Sequence, residues 1–167
     1  MADGVFGVEV VTPEQSLYAG GARSVVLATS DGALTVLDGH TPLVGDVVPC
    51  ELKVEEADGN VQRLAVHGGF LQVDTSPGAA EGLAEGDGPL PGLSTRVTVL
   101  AGVAERAEEI DVERAERAKE TSSQRLSDLN AGRSVAGEDL DEDVAVTEAA
   151  GSLARAELRL AVAAGAA

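Results

Sequence analysis

Valine gives way to alanine near residue 104, and this shift constrains the fold more than any other feature of the chain. Seventeen of the 22 valines precede residue 105, whereas alanine supplies 15 of the last 63 residues. β-Branched side chains suit a pleated, half-buried surface, and alanine suits a helix. The pattern predicts an α+β chain with a sheet domain over 1–104 and a helical part over 105–167. A chain of 167 residues is long enough to bury a real core. That core must be built from Val, Leu and Ala packed by shape, because Trp is absent and only Phe6, Tyr18 and Phe70 are aromatic.

Within 1–104, short apolar runs alternate with turn signals. Residues 5–11, 24–29, 34–37, 43–48, 51–55, 61–67, 70–74 and 96–100 read as strands. Asp58-Gly59-Asn60 is a hairpin signal between two of them. Gly20-Gly21 and Gly68-Gly69 read as separators between strands. Many short strands with turns every 8–12 residues predict an antiparallel β-sandwich or a flattened barrel. Residues 75–95 are rich in Gly and Pro and carry no apolar period, so they read as a long loop inserted into a hairpin.

The second part shows helical spacing. Asp111 suits an N-cap with Ile110 just outside the helix, and Glu113 and Glu116 favour the positive end of the dipole. Ala115, Ala118, Ser122, Leu126 and Leu129 form one stripe, and Val146, Ala149, Leu153, Ala156, Leu160 and Ala163 form another. An acidic connection over 131–143 separates them. Two stripes of about 20 residues predict an antiparallel two-helix hairpin about 30 Å long.

Twelve basic against 29 acidic residues give a net charge of −17. Nucleic-acid binding needs a basic face to displace counterions, and none is present. An electrostatic membrane anchor is disfavoured for the same reason. No apolar run reaches the roughly 18–20 residues of a membrane span, and residues 1–6 lack the basic and apolar regions of a leader. The expectation is a cytosolic chain with no membrane insertion. With one cysteine, Cys50, there is no internal disulfide. His40 and His67 are the only histidines, and CxxC, HExxH, GxSxG and P-loop spacings are all absent. A non-catalytic module without a metal is expected. One arrangement is more specific. Arg155 and Arg159 are four apart, so they share a helix face and can hold a phosphate by bidentate hydrogen bonds. Salt bridges to glutamates within the hairpin are the competing use of these arginines and of Arg114.

Four ordered blocks resemble the epsilon subunit of bacterial F-type rotary ATP synthases. They are VEVVTPEQSLYAG at 8–20, SDGALTVLDGHTPLVGDV at 30–47, VHGGFLQV at 66–73 and RVTVLAGVAERAEEIDVERAERAKE at 96–120. The resemblance implies a sandwich of about ten strands that binds the foot of the gamma subunit and rests on the rotor ring. It also implies a C-terminal hairpin that extends into the catalytic head and suppresses ATP hydrolysis. By position, Ser30-Asp31-Gly32-Ala33 matches the ring-facing loop, and His40 matches a position near gamma. Ala33 stands where some relatives are acidic. In some members the compact hairpin binds ATP through Ile/Leu-Asp-x-x-Arg-Ala and arginines of the second helix. Ile110, Asp111, Arg114 and Ala115 match the first element, and Arg155 with Arg159 matches the second. Thr121 replaces a further arginine of those relatives. The resemblance thus implies an accessory subunit with no required cofactor, ATP as a regulatory ligand, and a peripheral place on the cytoplasmic face of the bacterial membrane. An ATP-sensing module and an unrelated β-sandwich hydrolase are the competing classes.

Overall fold

The computed structural model describes residues 4–76, 79, 84–85, 88–89, 95–133 and 142–165. It divides into two compact units, Met1–Ala107 and Glu108–Ala167. The first unit is the sandwich. Its strands are β1 (Phe6–Val11), β2 (Ser16–Thr29), β3 (Gly32–Val36), β4 (Leu43–Val47), β5 (Cys50–Glu56), β6 (Val61–Val66) and β7 (Gly69–Asp74). Two dipeptide strands, β8 (Ala84–Glu85) and β9 (Gly88–Pro89), pair with each other, and β10 (Arg96–Ala101) and β11 (Ala104–Arg106) complete the set.

The nine longer strands form one sheet in the order β1-β10-β7-β4-β2-β5-β6-β11, with β3 on β2 and a further pairing of β1 with β2. That last pairing closes β1, β10, β7, β4 and β2 into a ring, which leaves these strands no free edge. Strand β2 joins the two halves of the sandwich. Its first half pairs with β1, and its second half pairs with β3 and β5. The expected Gly20-Gly21 separator is corrected here, because both glycines lie inside β2, buried, with Gly21 opposite Gly7 and Gly20 opposite Val8. Cross-strand pairing to β1 outweighs the low strand propensity of glycine at this close approach. The sandwich is antiparallel as expected, with one exception among the described residues, the parallel pair of β1 and β10.

The core follows from period-2 alternation. Phe6, Val8 and Val10 of β1 and Val97 and Val99 of β10 are fully buried, and so are Val54, Leu52, Leu64 and Leu71. Phe6 is the only ring among them, so Val, Leu and Ala packing carries this interior. The Asp58-Gly59-Asn60 hairpin forms as read. The Asn60 backbone N–H donates to Asp58 Oδ1 at 2.9 Å and the Glu56 N–H to the Asn60 backbone carbonyl at 2.8 Å. Residues 104–106, read as the last residue of the sheet domain and the start of the helical part, instead form β11 on β6. Arg106 fixes that strand by donating Nε (2.9 Å) and Nη2 (2.6 Å) to the Leu17 carbonyl.

The second unit holds α1 (Val112–Asn130) and α2 (Glu142–Gly165), packed side by side. Asp111 caps α1, its carboxylate accepting from the Arg114 N–H at 2.9 Å. Gly132 N–H to the Leu129 carbonyl (2.9 Å) and Arg133 N–H to the Asp128 carbonyl (2.9 Å) close its C-terminus. Ala115 and Ser122 are buried as the stripe requires, but Ala118 is exposed. On α2 the buried line is Ala145, Ala149, Ala156 and Val162, with Val146, Leu153, Leu160 and Ala163 half-buried beside it. The 3.6-residue period rotates the true seam slightly from the one that the larger side chains suggested. Of the acidic connection, residues 131–133 close α1, residues 142–143 open α2, and 134–141 lie outside the described residues. Most of the 75–95 loop lies outside them too.

Candidate docking surface

Three exposed features of the sandwich and one of the hairpin hold the candidate residues. The first is the β2–β3 tip. Thr29 pairs with Gly32, leaving Ser30 and Asp31 as a two-residue turn, and the Thr29 hydroxyl donates to the Gly32 carbonyl at 3.1 Å. Ser30 N–H donates to the Asp46 carbonyl at 3.1 Å, tying the tip to β4. Ser30, Asp31, Gly32 and Ala33 are all exposed.

The second is the segment Leu37–Thr41. His40 N–H donates to the Leu37 carbonyl at 3.1 Å across Asp38-Gly39, and Gly39 has φ +75°. This is a type II turn, which needs a residue with positive φ at its third position. Thr95, fully buried, takes the Gly39 N–H on Oγ1 (3.0 Å) and donates the same hydroxyl to Asp38 Oδ1 (3.0 Å). The Thr95 carbonyl accepts from Gly7 N–H at 2.9 Å. His40 is half-buried, with Nδ1 2.8 Å from the Thr41 carbonyl. The sequence reading missed Thr95. No local pattern links it to a turn more than 50 residues away, and it sat at the end of a stretch read as loop.

The third feature is an apolar row on the outer face of the closed layer. Phe70 of β7 lies opposite Leu100 of β10, which lies opposite Val11 of β1. Phe70 is 58% exposed, Leu100 50% and Val44, on neighbouring β4, 72%. Val11, Thr12, Pro13, Gly69, Phe70 and Leu100 line one shallow groove along this row. Glu9 and Arg96 flank it with an ion pair at 2.6 Å. Asp74, at the far end of β7, accepts from the Ser76 hydroxyl (2.7 Å) and N–H (2.8 Å), which lowers its pKa below the usual carboxylate value. Alternation could have found this row, because Leu71 and Val73 point inward and so Phe70 must point out.

The remaining chemistry is sparse. Cys50 opens β5, and burial raises its pKa above the ordinary thiol value. Among the described residues no three His, Cys, Asp or Glu groups gather as metal ligands. His67 is half-buried at the end of β6, with its N–H donating to the Val103 carbonyl at 3.0 Å.

On the hairpin, Ile110 and Ala115 are buried and Arg114 is exposed. The Asp111 carboxylate serves the cap. Arg155 is exposed and folds back on its own helix, donating Nη2 to Ser152 Oγ at 2.9 Å, while Arg159 is half-buried. Lys119 Nζ lies 3.4 Å from Glu157 Oε1, an exposed ion pair between the two helices.

The beta-sandwich domain of the ATP synthase delta/epsilon chain matches residues 5–77. The ATP synthase epsilon chain of Desulforudis audaxviator is 39% identical over 127 residues, which cover 76% of this chain and 78% of that one. The epsilon chain of Solibacter usitatus is 36% identical over 156 residues, 93% of each chain. Among solved structures, a chain of the Euglena gracilis mitochondrial ATP synthase OSCP/F1/c-ring shares the fold with a TM-score of 0.68 at 18% identity, over 94% of this chain and 80% of its own. A chain of the Tetrahymena thermophila mitochondrial ATP synthase central stalk and c-ring gives 0.52 at 12% identity, over 95% and 96%.

Proposed function

The chain belongs to the family of ATP synthase epsilon chains, and on that premise we propose that it is a non-catalytic stalk subunit whose sandwich docks on gamma and the rotor ring and whose hairpin restrains ATP hydrolysis. The observation that carries the docking half is the exposed apolar pair of Phe70 and Leu100 on the outer face of the sandwich, with Val44 exposed on neighbouring β4. Side chains of this size held in water favour a partner that covers them, at about 25 cal/mol per Å² of apolar surface removed. A net charge of −17 favours a cationic partner and speeds encounter with it. The exposed Ser30–Ala33 tip is the ring-facing element of this reading, and the complex sits peripherally on the cytoplasmic side of the membrane.

A head complex lacking this subunit tests the proposal. Full-length chain and a chain ending at Ala107 are added, and binding and ATP hydrolysis are measured together. Both should bind, and only the full chain should slow hydrolysis. Equal hydrolysis with both bound removes the regulatory half. Failure of both to bind removes the docking half.

A second reading, ATP binding by the hairpin, rests on Arg155 and Arg159 one turn apart on α2 and on the packing of α2 against α1, whose first turn carries Arg114. It requires Arg155 to leave Ser152. Millimolar ATP should then raise the melting temperature of the hairpin, by an amount equivalent to about 2.7 kcal/mol at a hundred times Kd. Arg159→Ala should abolish that rise, and an unchanged melting curve in wild type removes this reading.

A further inference from the structure

Thr95 holds the only side-chain hydroxyl that touches both central residues of the Leu37–His40 turn among the described contacts, and it does so from inside the protein. A type II turn differs from type I by a half-rotation of its central peptide, here the Asp38 carbonyl and the Gly39 N–H. In the observed form the Gly39 N–H meets Thr95 Oγ1, and after a half-rotation it would point away from it. The same hydroxyl donates to the Asp38 carboxylate, so both sides of the rotating unit are tied to one buried atom. Gly4 lies so close to Asp38 that a side chain at position 4 would collide with the carboxylate, which confines the loop from the other side. Thr95 itself is anchored, because its carbonyl accepts from the Gly7 N–H of β1 and it directly precedes β10.

We propose that Thr95 is a positioning residue for docking: it locks the Asp38–Gly39 peptide in one orientation and so presents His40 and the segment leading into β4 to the gamma subunit. The proposal rests on the docking reading given above. Without the hydroxyl the turn samples both peptide orientations, and apparent affinity falls in proportion to the fraction in the competent one.

Full-length Thr95→Val, Thr95→Ser and Gly39→Ala chains test this by two readouts. One is binding to purified gamma, and the other is the position of the His40 imidazole signals by NMR in the free chain. Thr95→Val keeps the volume and loses the hydroxyl, so it should weaken binding about tenfold and shift or broaden the His40 signals. Thr95→Ser should restore both, which a purely structural role of the methyl group would not produce. Gly39→Ala places a Cβ where nothing lies within 4 Å, so it disturbs only the turn, and it carries the test if Thr95→Val fails to fold. It should weaken binding as Thr95→Val does. Unchanged binding and His40 signals in a folded variant overturn the proposal and leave docking intact, and so does failure of Thr95→Ser to rescue. A wild-type chain that does not bind gamma overturns both, and is told apart by its wild-type arm.

Discussion

Gly69 has φ +153°, and a side chain there would drive into the Leu100 carbonyl oxygen of the neighbouring strand. Both the dihedral and the close approach demand glycine. Gly69→Ala should therefore destabilise the sandwich by more than about 2 kcal/mol, read as a drop in urea midpoint with an unchanged slope. Cys50 offers a second check. Burial raises its thiol pKa, so the neutral form persists on the folded chain to higher pH than on the unfolded one. Iodoacetamide at pH 8 should modify native Cys50 about tenfold more slowly than the unfolded chain, and stability should decline as pH rises past the ordinary thiol value. Asp74 has the opposite sign. The Ser76 hydroxyl and N–H lower its folded pKa, so its contribution is present above the unfolded value and is lost as pH falls through the folded one. In Ser76→Ala the Asp74 carboxyl should titrate at higher pH, followed by its NMR shift. The sequence marks Cys50 as the lone cysteine and Gly69 as part of a separator between strands, but not the contact that demands glycine at 69. The demand on Gly69 comes from a strand 31 residues away, and no local pattern reports it.

Elements were more legible than single residues. The cap at Asp111 followed from a small acid before a 3.6-residue period, and the structure closes it through the Arg114 N–H. Asp111→Ala should cost the hairpin about 1 kcal/mol, visible as reduced helical ellipticity and a lower melting point for the second unit. Strand β2 is the counterexample. Ser24–Thr29 read as a strand because it is apolar and β-branched, whereas Tyr18–Arg23 did not because two glycines interrupt it. The backbone there is held by partners on β1, so pairing supplied what propensity lacked. Strand β11 was hidden for the same reason. Three residues of mixed charge carry no period, and their place is set by β6 and by the Arg106 guanidinium on Leu17.

For the whole molecule, two compact units with separate buried sets imply that the sandwich is self-sufficient. A chain ending at Ala107 should keep a cooperative unfolding transition and a β-type far-ultraviolet spectrum. A chain cut at residue 104 instead loses Arg106 and most of β11, and should be measurably less stable. The difference between these two truncations tests where the first unit ends, by denaturant titration of each.

By itself the sequence determined the fold class, most strand positions, the hairpin and the family, because these rest on composition, period and ordered local blocks that are read within a few residues. Tertiary structure alone decided the parallel β1–β10 pair, the ring closure through β2, the alignment of Phe70 with Leu100 across two strands and the Thr95 clasp on Asp38 and Gly39. Each of those joins groups far apart in the chain. Which distant groups meet depends on how the whole sheet closes, and no local window of sequence encodes that.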